Sequence, residues 1–191
     1  MVFGGVAAPT FAAIEPRLRP RTLTVSGVAK SYAMMGWRVG YAAGPAALIA
    51  AMIKIQSQTT NSASSISQAA AIAALMGPQD LLSERATVLR GKRDRFAEIV
   101  NDCAGLSCEP PEGTFYLLVG CAGVLGKTSP DGKVIATDRD FAAYLLDHAD
   151  LAVFAGDDFG LSPYIRITFA NPAAIIEEAG RRLKRACEAL R

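Results

Sequence analysis

Histidine is almost missing from this 191-residue chain: His148 stands alone. A Ser-His-Asp arrangement built on it needs partners that the sequence does not offer. Cysteine is sparse too, and the four present (Cys103, Cys108, Cys121, Cys187) form no Cys-x-x-Cys pair. Such spacing argues against a zinc site and against a disulfide framework. The net charge is only +2 and no basic run stands out, so no nucleic-acid surface is expected. The cluster Arg181, Arg182, Lys184 and Arg185 reads instead as the solvated side of a last helix, complementing the negative end of its dipole. No apolar run is long enough to cross a bilayer. Met1 to Ile14 lacks a basic n-region and contains a proline. Neither a membrane partner nor a signal peptide is expected, and the cytoplasm is the expected compartment.

What is present is a foldable composition, 51% hydrophobic and 20% charged. The length allows one domain or two small ones. Residues 1–20, punctuated by glycine and proline, read as irregular. Arg21 to Ser26 reads as a buried strand and Arg38 to Ala43 as a second. Pro45 opens a helix whose apolar face runs through Leu48, Ile49, Met52 and Ile55. A polar stretch from Gln56 to Ser65 leads to a small-residue helix over Ile66 to Met76. Gly77-Pro78 breaks it, and a long helix from about Gln79 to Asn101 bridges two lobes. The second lobe alternates a strand at Thr114 to Val119, a polar turn at Lys127 to Lys133 and a helix at Asp138 to Asp147. Strands at Leu151 to Phe154 and Tyr164 to Phe169 follow. Asn171 and Pro172 supply the N-cap and first turn of a final helix. This pattern predicts an α/β chain: residues 1–85 a remnant of a larger sheet domain, and 86–191 a small α+β domain.

The segment Gly27-Val28-Ala29-Lys30-Ser31-Tyr32-Ala33-Met34-Met35-Gly36-Trp37-Arg38-Val39-Gly40-Tyr41 carries the chemistry. An amine and a guanidinium held by one short loop suit a molecule with both an aldehyde and a phosphate. The lysine can condense with the aldehyde, and the arginine can fork onto the phosphate. For an isolated pair, two surface charges are the simpler reading. Here small residues keep bulk from the lysine, and Trp37 and Tyr41 argue against a solvated loop. In Tyr164-Ile165-Arg166-Ile167-Thr168-Phe169, alternation puts Arg166 on the face opposite Ile165 and Ile167. From the strand alone, a wet-face arginine is the simpler reading.

From Gly27 to Gly40 the chain resembles the cofactor-lysine signature of class I aminotransferases, the fold-type-I pyridoxal phosphate enzymes. The likeness continues through Gly44-Pro45, Ser57 to Thr60, Gln68, Pro111 to Tyr116 and Tyr164 to Ala170, with bacterial members that use aspartate as the nearest pattern. It implies the C-terminal half of a fold-type-I chain. It also implies pyridoxal 5'-phosphate as cofactor, Lys30 as the residue that condenses with it and moves a proton, and Arg38 on its phosphate. Arg166 would take the substrate α-carboxylate. The implied reaction is transamination between an amino acid, with aspartate expected, and a 2-oxo acid, in a homodimer.

The segment Gly113 to Tyr116 matches family residues near the substrate, although an ordinary turn and core strand explain it nearly as well. The family's upstream elements have no counterpart here. These are a glycine/serine phosphate loop, a ring-stacking aromatic, an aspartate at the pyridine nitrogen and a tyrosine at its hydroxyl. Gly27 also stands where many relatives place a serine. Two expectations follow: an enzyme chain whose N-terminal half comes from elsewhere, or a non-catalytic remnant serving as a folding or interaction module.

Overall fold

The computed structural model describes residues 2–5 and 8–191. The chain divides into two compact units, residues 1–86 and 87–191.

In the first unit two short strands, β1 (Thr24–Gly27) and β2 (Gly40–Ala43), pair antiparallel with Thr24 opposite Ala43 and Gly27 opposite Gly40. Both begin later than the sequence pattern suggests. Arg21 closes a 3₁₀ turn over Pro16–Arg21, and Arg38 takes a left-handed backbone, φ 50°, which no strand accommodates. Residues 1–20 are not irregular throughout. Besides that turn they contain a one-turn helix, α1 (Phe11–Ile14), and Pro16 fits because its ring fixes a helical φ. Nor is β1 buried: Val25 is 72% exposed.

Two further helices follow, α2 (Ala46–Thr59) and α3 (Ser65–Met76). Gln56 to Thr59 belongs to α2 rather than to the polar connection, and the Thr59 hydroxyl donates back to the Ile55 carbonyl. α2 has the apolar face its sequence promises, yet none of its residues is buried. α3 buries only Ser67 and Ala71. The long helix α4 (Asp80–Asn101) starts in this unit and runs on into the next.

The second unit is an α+β layer. Its sheet has the order β3 (Tyr116–Gly120), β5 (Tyr164–Thr168), β4 (Phe154–Ala155), all antiparallel. Leu117, Val119, Ile165 and Ile167 point to one face and are buried with Phe96, Val100 and Phe169. Two helices complete the layer, α5 (Asp138–Ala149) and α6 (Ala173–Ala189). α5 starts with a capping box between Thr137 and Asp140. The Tyr144 hydroxyl donates to the Ala186 carbonyl at 2.8 Å, tying α5 to α6. α6 packs on α4 at Gly180, where a Cβ would lie 2.4 Å from the Ile99 Cγ2. The N-cap of α6 is Pro172 and not Asn171, and no side chain caps this end. No helix among the described residues is long and apolar enough to cross a membrane.

Candidate functional site

The loop between β1 and β2, residues 28–39, holds Lys30 and Arg38. Its shape comes from local turns: the Tyr32 N–H donates to the Val28 carbonyl, that of Ala33 to Lys30, and that of Trp37 to Met34. Ala33 and Arg38 both take left-handed φ values, 55° and 50°. Val28 is fully buried and anchors the start of the loop. The Tyr32 hydroxyl donates to Gln79 Oε1 at 2.6 Å, and Arg85 Nη1 donates to the Ser31 carbonyl at 3.3 Å. The loop is therefore fixed from both sides of its lysine.

Within it, both cations converge on Met35. Lys30 Nζ lies 3.6 Å from the Met35 sulfur, and Arg38 Nη1 donates to the Met35 carbonyl at 3.0 Å. Lys30, Arg38, Trp37 and Tyr41 are all exposed. The two aromatic residues thus do not shield the loop, contrary to their apolar character. The charge of the flanking sequence is one-sided. From residue 16 to residue 79 there is no aspartate or glutamate, against Arg17, Arg19, Arg21, Lys30, Arg38 and Lys54. A loop with an amine, a guanidinium and no carboxylate of its own suits an anionic carbonyl compound.

Arg166 lies in the second unit, on the central strand β5, opposite Leu118 of β3 and Phe154 of β4. Alternation holds: Ile165 and Ile167 are buried while Tyr164, Arg166 and Thr168 are partly exposed. Its guanidinium does not simply extend into water. The guanidinium carbon sits 4.5 Å from the Tyr116 ring centroid, 4.7 Å from that of Phe154 and 4.1 Å from that of Phe159. Its Nε is the one buried side-chain polar atom without a hydrogen-bond partner among the described residues. A donor withheld from water in this way costs free energy unless an acceptor or a π face compensates it.

Phe159 reaches the arginine from a 3₁₀ turn, Gly156–Phe159. Gly156 is needed there because a Cβ would fall 2.0 Å from the Leu161 carbonyl oxygen. Arg139 clamps the turn, donating from Nε to Asp157 at 3.0 Å and from Nη2 to Asp158 at 2.5 Å. The two carboxylates raise the pKa of Arg139 above its ordinary value, Asp157 foremost. Sequence reasoning missed Phe154 and Phe159 because nothing in their local pattern shows the turn that folds them back onto Arg166. The strand register would have found Phe154 had β4 been aligned on β5. At the start of β3, Thr114 takes φ 67°, and the Phe115 carbonyl accepts from the Phe169 N–H at 3.0 Å. Among the described residues no group of three or more histidines, cysteines, aspartates or glutamates could hold a metal ion.

Comparison with known proteins shows the family of the chain. A family model, aminotransferase class I and II, matches residues 1–183. The aspartate aminotransferase of Rhizobium meliloti strain 1021 is 53% identical over 190 residues, covering 100% of this chain and 46% of that protein. The aspartate/prephenate aminotransferase of Cereibacter sphaeroides is 44% identical over 190 residues, covering 100% of this chain and 48% of its own. The crystal structure of the Rhizobium meliloti aspartate aminotransferase superposes with a TM-score of 0.96, over 100% of this chain and 48% of that one. An aromatic aminotransferase from Pyrococcus horikoshii, 27% identical, gives 0.83 over 98% of this chain and 48% of that one. The chain spans about half the length of the curated relatives it matches. With its fold shared and nearly all its residues matched, this chain belongs to the class I and II aminotransferases, as the C-terminal part of a fold-type-I architecture.

Proposed function

We propose that this chain carries the lysine and two arginines of a transaminase that exchanges an amino group between an amino acid, aspartate by preference, and a 2-oxo acid. The family depends on pyridoxal phosphate. The convergence of Lys30 and Arg38 on Met35, in a loop without carboxylates, carries the reading. When bound, the cofactor supplies an aldehyde that condenses with amines and a ring that spreads negative charge from the adjacent carbon.

Lys30 would hold the cofactor through its aldehyde and, when its amine is free, would take up a proton at the substrate α-carbon. Arg38 would hold the phosphate, a task its guanidinium suits. Arg166 orients the α-carboxylate, and arginine suits that task because its fork matches two oxygens. Residues 1–85 act as the C-terminal part of a large cofactor domain and 86–191 as the small domain, in a cytoplasmic homodimer. Aspartate is favoured because the relatives at 53% and 44% identity are named for it.

A second reading rests on the first unit's surface. Ile53, Ile55, Ile66, Ile72 and Met76 are all exposed on α2 and α3, more apolar surface than an isolated layer tolerates well. On this reading the chain alone is a non-catalytic interaction module that needs a covering chain. A coupled assay with aspartate and 2-oxoglutarate separates the two. The 191-residue chain is assayed alone and mixed with a separately produced N-terminal half of the Rhizobium meliloti enzyme. Turnover that requires both pieces and vanishes with Lys30→Ala supports the transaminase reading. Binding of the two pieces without turnover supports the module.

A further inference from the structure

Three aromatic rings around one arginine ask for an explanation that core packing does not give. Phe154 and Phe159 are 56% and 52% exposed, so burying their own surface is not what holds them there. Their rings stand edge to face, centroids 6.4 Å apart at 70°, and each presents itself to the same guanidinium. Tyr116 reaches it from β3 on the other side of the central strand. The arginine is pinned from both flanking strands and from the 3₁₀ turn.

The consequence concerns which edge of the guanidinium is open. A carboxylate can pair with it side-on, through Nε and one Nη, or end-on, through the two Nη atoms. Here Nε is sealed from solvent, whereas neither Nη atom is a buried orphan. The side-on edge is closed before any ligand arrives.

We infer that Tyr116, Phe154 and Phe159 form an aromatic cage that positions Arg166 to receive a carboxylate end-on, through its two terminal nitrogens alone. The inference rests on the reading of Arg166 as the carboxylate receptor and adds the residues that aim it. The rings hold the cation by its π-facing surface without competing for its in-plane donors. They also displace water from the guanidinium, which strengthens the pairing that remains. A lysine could not be held this way, since an ammonium has no planar edge to leave open. The cage is a device for positioning and takes no part in bond making.

The test uses the intact 191-residue chain with isotope-labelled arginine, and succinate as an unreactive carboxylate probe. The Arg166 Nε–Hε resonance, assigned by its loss in Arg166→Lys, should be displaced upfield by the rings and protected from exchange. Saturating succinate should leave Hε without the downfield shift of a direct hydrogen bond. Phe154→Leu or Phe159→Leu should each weaken succinate roughly 2- to 30-fold, the range expected for one cation–π contact, and reduce the upfield displacement. Phe159→Tyr should restore both. Because both phenylalanines are half exposed, the leucine variants should keep the parent's melting profile, which excludes unfolding as the cause.

If succinate fails to bind the parent chain, or binds Arg166→Lys equally well, the receptor reading falls and the cage with it. If Arg166→Lys loses succinate while Phe159→Leu keeps it, or Hε moves downfield on binding, the receptor stands and the cage is overturned.

Discussion

The buried carboxylate of Asp138, 1% exposed, accepts a hydrogen bond from the Asp157 backbone N–H at 3.1 Å. The first turn of α5 thereby fixes the 3₁₀ turn that presents Phe159. Removing the acceptor leaves the Asp157 N–H without this bond and empties a buried position. Asp138→Ala should lower stability by about 1–3 kcal/mol in urea denaturation and weaken the hold on Phe159. Asp138→Asn, which keeps an acceptor oxygen, should lose less.

At the contact of α4 and α6, Gly180→Ala places a methyl 2.4 Å from Ile99 Cγ2. Overpacking of this kind costs about 1–3 kcal/mol. The double variant Gly180→Ala with Ile99→Ala should be more stable than the sum of the two single losses, because the second change clears the space. Additive losses would mean that the helices shift apart freely.

The cysteines give a pH signature. Burial pushes the Cys108 and Cys121 thiols up to about 11, with Glu109 and Asp138 respectively adding to the effect. Cys103 is drawn down by its hydrogen bond with Cys187, whose own pKa is raised by the same bond and by burial. A thiol whose folded pKa is raised stays protonated in the fold after the unfolded chain ionises. The stability that Cys108 and Cys121 contribute is thus complete below the unfolded value near 8.5 and is lost as pH climbs towards about 11. Urea denaturation should show that decline, and Cys108→Ala with Cys121→Ala should flatten it. At about pH 8, iodoacetamide should label these two thiols only after unfolding.

Arg38 offers a cleaner functional test than Lys30, because its partner can be removed from the ligand. Losing one charge-assisted contact of about 1.5–3 kcal/mol should weaken pyridoxal phosphate roughly 10- to 100-fold in Arg38→Ala. Pyridoxal, which has no phosphate, should bind parent and variant alike. Absorbance titration with both compounds measures the difference.

Much of this fold was legible in the sequence. The hairpin bracketing Lys30, the helix opened by Pro45 and the alternation that turns Arg166 away from Ile165 and Ile167 all follow from local patterns. So did family and cofactor, through motifs spread over nearly the whole chain. What escaped was set by non-local contacts. Asn171 is a good N-cap residue, yet Pro172 takes that place with no side-chain cap. Val25 and the face of α2 are apolar enough to predict burial, but burial requires a covering layer, and periodicity within one strand or helix cannot reveal whether one is present. The rings on Arg166 come from three separate segments, and only strand register and the Gly156 turn bring them together.

The central claim is that Lys30, among all the lysines, is the one made for the cofactor aldehyde. Borohydride reduction of the chain with pyridoxal phosphate, alone and with the complementary N-terminal half, followed by peptide mapping, measures this directly. The account predicts a pyridoxyl label concentrated on Lys30, displaced by excess aspartate and absent in Lys30→Ala. Label spread evenly over Lys54, Lys92 and Lys184, unchanged by Lys30→Ala even with the complementary half present, would contradict it.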